Sequence, residues 1–356
     1  MTEKITRVFD CIEYQNCNYP QKEALVYKEN DQWISYSSEE FISIANQVSS
    51  SLLTLGIKPN DKIAIIVSVN HPKWHFLDIG ILQIGAQNVP LYATLSEKDY
   101  EYVLNHSDSK YCFIAGDDIY EKVNAVKSKT QLKEVYRLDD NSKIGWKSFL
   151  ELGKNKKLKS KIDEIKNNIS PQDIATIIYT SGTTGTPKGV MLSHENIVQN
   201  IKVTADRLDL NGSGKRTISY LPVSHVFERV SGYYSHMMGI NIYFAESIEL
   251  LGDNIREVKP NMMAVVPRLL EKIFDKIVDK GSKLSGIKKN LFFWALKLGE
   301  QYEPYNKNGF WYHFQLSIAR KLIFGKWQDA LGGNLEFMIS GSAPLQPRLI
   351  RVFTAA

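Results

Sequence analysis

With 356 residues, 43% hydrophobic and 23% charged, the chain can bury a large core, and the usual length prior gives about two domains. A formal net charge of +5 over that length does not argue for a nucleic-acid partner, though it is compatible with small polyanionic ligands. Three cysteines, Cys11, Cys17 and Cys112, are odd in number and lack metal-ligand spacing, which argues against a disulfide framework or a zinc site and fits a reducing compartment.

The opening stretch MTEKITRVFDCIEYQ mixes acids with apolar residues and has no long apolar core, so it does not read as a signal peptide and a cytoplasmic location is expected. In YSSEEFISIANQVSSSLLTLG, Ser37 and Glu40 have capping-box spacing, Tyr36 and Phe41 occupy the staple positions, and Gly56 is the stop of a predicted helix. From Lys62, KIAIIVSV reads as a buried strand, and Asn70 is the expected N-cap of the next helix, with proline inside its first turn. NVPLY, KYCFIAG and EVYRLD are further strands separated by helical stretches. That rhythm predicts a parallel sheet with helices on its faces. KNKKLKSKIDEIKNN, from Lys154, has five lysines in its first eight residues but no interleaved aromatic residue, and reads as a solvated connector or helix face.

After the strand-like DIATII comes YTSGTTGTPKGV, Tyr179 to Val190. It lacks the Ser or Thr that follows Gly-Lys in a Walker phosphate loop, since Lys188 precedes Gly189 and Val190. Its chemistry nevertheless suits phosphates. Gly182 and Gly185 let the backbone turn its N–H groups toward one point, Ser181, Thr183 and Thr184 add hydroxyl donors, and Lys188 adds a mobile full charge. VMLSHENIVQNI then reads as a short strand and a helix capped by Ser193. The loop therefore joins two strands and does not open a helix, so backbone and hydroxyls would hold an anion more than a helix dipole.

TISYLP, NIYFAE, NMMAVVP and LEFMIS continue the strands. VSGYYSHMMGINIYFA is interrupted by His236 and Asn241 and reads as helix then strand, not as a membrane span. Its Tyr233, Tyr234, Met237 and Met238 suit an apolar tunnel and ordinary core equally. KIVDKGSKLSGIKKN followed by LFFWALKLGEQY is preferentially a core-facing helix with a wet side; peripheral contact with an anionic membrane surface is the alternative. Gly341, Ser342, Ala343 and Pro344 end a strand in a sharp turn whose small residues would let a flat ring or an apolar chain lie against the backbone.

YTSGTTGTPKGV resembles the signature phosphate loop of the adenylate-forming superfamily, which includes acyl-CoA synthetases, luciferases and peptide-synthetase adenylation domains. YLPVSHVFER, from Tyr220, resembles its second core motif in the long-chain fatty acid CoA ligase form, and SGSAPL, from Ser340, the segment lining the adenine and acyl site. The resemblance implies an α/β fold of two βαβ-type sheet subdomains side by side, with the acyl and nucleotide site between them. Residues 60–205 would carry the phosphate loop, and 1–59 with 206–356 would form the second subdomain.

The implied reaction is attack of a fatty acid carboxylate on the α-phosphorus of ATP, then displacement of AMP by coenzyme A. Thr180 to Lys188 would hold the β- and γ-phosphates, with Lys188 taking charge on the leaving group. The implied Mg2+ bridges phosphate oxygens, and Thr180 is the loop hydroxyl assigned to approach it. His225 matches the histidine near the acyl carboxylate, where a ring N–H would orient the attacking oxygen; Glu228 and Arg229 are expected to be structural. Two alternatives stay open: a carrier-protein thiol as acceptor, and a non-catalytic nucleotide-binding module. The chain ends at LIRVFTAA, in a helix expected from Leu345, before the family's Tyr-Gly and Thr-Glu element, ribose aspartate, β-barrel and small C-terminal domain. The expectation is therefore a piece of a longer ligase that holds ATP weakly and completes neither half-reaction alone.

Overall fold

The computed structural model describes residues 4–139, 142–154, 158–180, 186–208, 212, 214–305 and 307–356. It divides into two compact units, Met1–Lys215 with Ser219–Ser247, and Arg216–Ile218 with Ile248–Ala356.

The strands are β1 Leu25–Glu29, β2 Gln32–Tyr36, β3 Lys62–Val67, β4 Gln87–Tyr92, β5 Ser109–Ala115, β6 Glu134–Arg137, β7 Ile174–Thr180, β8 Lys188–Ser193, β9 Arg216–Ser219, β10 Asn241–Phe244, β11 Met262–Val265 and β12 Phe337–Ser340. In the first unit, six of them form a sheet ordered β6-β5-β3-β4-β7-β8. All neighbours are parallel except β7 and β8. The expected parallel sheet is thus mixed, because β8 runs back antiparallel along β7 from Lys188. β3 buries Ile63, Ala64, Ile65 and Ile66, the unbroken apolar run of a strand covered on both faces. One face packs Ile66, Leu91, Ile114 and Ile177 against Tyr100, Leu104, Ile119 and Val123 of the helices Glu97–His106 and Asp117–Lys127.

The same unit contains β10-β1-β2. The β1–β2 hairpin lies outside the sequence-based expectation. Its two-residue turn puts Asn30 and Asp31 at φ 49° and 60°, the left-handed pair that matches strand twist, so an Asn-Asp between apolar alternations was the available signal.

Helix Ser38–Thr54 has the expected Ser37–Glu40 capping box, and Gly56 follows it at φ 82°. Helix Pro72–Leu82 is capped by His71, whose side chain accepts from Lys73 N, and not by Asn70. Asn70 is instead drawn inward: its amide donates to Ser219 Oγ at 2.8 Å and to the Leu221 carbonyl at 2.7 Å. The lysine-rich stretch contains helix Lys159–Asn168, whose one buried residue is Ile162, as a solvated helix face requires.

The second unit contains β12-β11-β9, all parallel. Helix Gly286–Glu300 buries Phe292, Ala295, Leu296 and Leu298, a core-facing helix with a wet side. Leu298 and Ala295 pack with Leu316, Ala319, Phe324 and Ala355. The last helix is Pro347–Ala355, starting two residues later than expected because Pro347 takes a first-turn position where its missing N–H costs nothing. Among the described residues no helix is long and apolar enough to cross a membrane, and Cys11, Cys17 and Cys112 are free thiols.

Candidate active site

The phosphate-loop motif sits on the β7–β8 hairpin. Thr180 ends β7, Lys188 opens β8, and the two are partners across the antiparallel ladder. Both are exposed, so a hydroxyl and an ammonium stand side by side at the free end of the hairpin. Ser181, Gly182, Thr183, Thr184 and Gly185 lie outside the described residues.

The stem of the hairpin is held by helix Glu97–His106. His106 Nδ1 pairs with the Tyr179 hydroxyl at 2.8 Å, and the Tyr102 hydroxyl donates to the Pro187 carbonyl at 3.2 Å. Gly189 is required by packing: a Cβ there would lie 2.8 Å from Ile177 Cγ2 and 3.2 Å from Tyr179 Cζ. That accounts for the glycine after Lys188, where a Walker loop differs. Neither Tyr102 nor His106 carried a sequence signal, because they are fixed by tertiary contact and not by spacing.

His225 is the N-cap of helix Val226–Met238. Its Nδ1 accepts from the Phe227 backbone N–H at 3.1 Å, which leaves Nε2 to carry the ring proton. Burial lowers its pKa. A half-buried neutral imidazole with a free N–H results, suited to donating to an oxyanion and not to acting as a charged acid.

Glu228 and Arg229, in the first turn of the same helix, are internal struts. Glu228 is buried and accepts from Ser219 Oγ at 2.5 Å; burial raises its pKa to about 8, against the opposing hydrogen bonds from Ser219 and the Tyr220 backbone. Arg229 Nη2 meets Asp78 Oδ1 at 2.8 Å, with both side chains 1% exposed. Burial opposes the guanidinium charge, but Asp78 and Tyr233 outweigh it, and the pKa is raised. Tyr233 bonds both Arg229 and Asp78, and Tyr234 and Met237 are also buried.

In the second unit, Gly341 N–H donates to the Val265 carbonyl at 3.2 Å, extending the β12 ladder by one residue. Ser342 then turns at φ 71°, and Ser342, Ala343 and Pro344 are exposed. A serine held in the left-handed region costs energy that glycine would avoid.

A family model described as AMP-binding enzyme matches residues 12–356. The chain belongs to the AMP-binding enzyme family. It is 32% identical over 347 residues to Fatty acyl-CoA synthetase A of Dictyostelium discoideum, covering 91% of this chain and 48% of that one. It is 32% identical over 369 residues to Long-chain-fatty-acid–CoA ligase 5 of Rattus norvegicus, covering 97% of this chain and 50% of the relative. The chain thus spans about half the length of these curated relatives. An inhibitor-bound crystal structure of the N-terminal domain of FACL13 from Mycobacterium tuberculosis shares the fold, with a TM-score of 0.69 at 20% identity over 98% of this chain and 73% of that one.

The Thr180 hydroxyl at the hairpin end is of the oxygen kind that a magnesium ion accepts as a ligand. Thr180 offers an exposed hydroxyl at the hairpin end, and no group of three or more His, Cys, Asp or Glu among the described residues is placed to hold a metal by itself.

Proposed function

We propose that the complete protein activates a long-chain fatty acid with ATP, through an acyl adenylate, and passes the acyl group to coenzyme A. The observation that carries this reading is the pairing of Thr180 with Lys188 at the end of a hairpin, in a chain of the AMP-binding enzyme family. Relatives named as long-chain-fatty-acid–CoA ligases support the choice of substrate.

Adenylation brings a carboxylate onto a polyphosphate, so repulsion must be screened and the leaving pyrophosphate stabilised by groups already in place. Lys188 would place its ammonium on the β- and γ-phosphates as negative charge accumulates there. Magnesium, when bound, would further neutralise the polyphosphate charge, with Thr180 as the residue offering it a hydroxyl. His225 would donate its Nε2–H to the substrate carboxylate, fixing which oxygen points at the α-phosphorus. In the same reading, Gly341, Ser342, Ala343 and Pro344 line the adenine and acyl site, and residues 60–205 act as the subdomain that carries the phosphate loop. Free thiols suit a reducing, cytoplasmic setting.

The test is acid-dependent exchange of labelled pyrophosphate into ATP by the complete ligase and its Lys188→Ala variant. The variant is expected to lose about a hundredfold in rate, while affinity for the fatty acid changes little. Equal loss of acid binding and exchange would make Lys188 a structural residue.

A further inference from the structure

In the first unit the buried side chains of Arg229, Asp78 and Thr176 close a hydrogen-bonded ring with Asn88, which joins through both its main chain and its side-chain amide. Arg229 Nη2 donates to Asp78 Oδ1 at 2.8 Å, and Arg229 Nη1 donates to Thr176 Oγ1 at 2.7 Å. Thr176 Oγ1 donates in turn to the Asn88 backbone carbonyl at 2.7 Å, and the Asn88 side-chain amide donates to Asp78 Oδ1 at 2.6 Å. The Tyr233 hydroxyl donates to Asp78 Oδ2 and accepts from Arg229 Nη2 at 2.8 Å. Each corner sits on a different element: helix Pro72–Leu82, β4, β7 and helix Val226–Met238.

Stability alone is a weak reason for such a ring, since a buried ion pair is commonly no better than apolar packing of the same volume. What the planar guanidinium adds is direction, because its donors fix angles as well as distances. Two corners lead to the candidate site. Thr176 is on β7, the strand that ends at Thr180. Arg229 N donates to the His225 carbonyl at 3.3 Å, closing the helical turn that His225 caps. The adjoining Glu228 ties the same turn to Ser219, which also receives the Asn70 amide.

We propose that Asp78, Asn88, Thr176 and Arg229 are positioning residues that set the phosphate hairpin and His225 in one fixed relation, so that carboxylate and nucleotide meet in line. This rests on the function proposed above. Displacing one corner moves the end of β7 against the first turn of the histidine helix, and misplacement of about 1 Å is enough to slow an oriented reaction severely. Attack on the α-phosphorus depends on that relation. Thiolysis of an adenylate already formed no longer needs the polyphosphate end of the hairpin.

The test uses the complete ligase with Thr176→Val, which removes the hydroxyl at nearly constant volume, and Arg229→Lys, which keeps the charge but loses the fork. Two readouts are taken. Acid-dependent pyrophosphate exchange is expected to fall by about tenfold or more, while thiolysis of a supplied acyl adenylate by coenzyme A stays within about twofold. Hydrogen exchange is expected to quicken at Ile178–Thr180 and Val226–Arg229 while β3 remains protected. Loss of both half-reactions in step with a lowered melting temperature, or unchanged exchange at both segments, would overturn the proposal. Absence of pyrophosphate exchange in the parent enzyme would instead count against the proposed function, and hydrogen exchange would still decide the ring.

Discussion

His75 and His236 are both fully buried, with ring centroids 5.7 Å apart and an unpartnered Nε2 on each. Burial lowers the pKa of His75 to about 3, with Arg229 and His71 adding to the effect; burial and then His75 push His236 well down. In the unfolded chain each ring titrates near its ordinary value of about 6.5. Below that pH the unfolded state binds more protons than the folded one, so stability falls as pH falls, by about 1.4 kcal/mol per pH unit for each ring. Urea denaturation midpoints at pH 7.0 and 5.5 measure this loss, and His75→Phe is expected to reduce it by one ring's share. An unchanged acid slope in that variant would mean that His75 is already charged in the fold. The same scale holds what the sequence hid. Asp78 and Arg229 are 151 residues apart, and no local pattern joins them; the HVFER motif presented Arg229 as a neighbour of His225 without revealing the carboxylate that anchors it.

Elements were more legible than their contacts, since capping and periodicity act within a few residues. Ser37 and Glu40 announce their helix by side-chain reach alone, as Ser193 does for helix His194–Arg207, where Asn196 completes the box. Asn70 misled because it looks like a cap, while His71 can accept the same backbone proton and frees Asn70 for a buried contact. The close approach of helix Trp146–Lys154 to helix Ser38–Thr54 depends on Gly153, where a Cβ would lie 2.6 Å from Ser51 N and 2.8 Å from the Gln47 carbonyl. Backbone cannot step aside as a side-chain tip can. Gly153→Ala is therefore expected to cost about 1–3 kcal/mol of stability, read as a lower thermal midpoint; a midpoint equal to that of the parent would show that the helices separate without cost. The hairpin carrying Lys188 is clamped from outside its own strands by Tyr102 and His106, a contact that only the folded chain creates.

Over the whole molecule, three motifs in chain order identified the family, and the strand and helix rhythm gave its α/β character. The antiparallel return at Lys188 and the β1–β2 hairpin were harder to foresee, because turn geometry decides strand direction and apolar content does not. Lys188 and His225 lie in the first unit and Gly341 to Pro344 in the second. The central claim is that the β7–β8 hairpin grips a polyphosphate. It is tested most directly by a crystal structure of the complete ligase with a non-hydrolysable ATP analogue. The account predicts Lys188 Nζ at about 3 Å from a β- or γ-phosphate oxygen, with the Thr180 hydroxyl beside the same tail; a tail bound at another surface, with Lys188 facing only solvent, would contradict it.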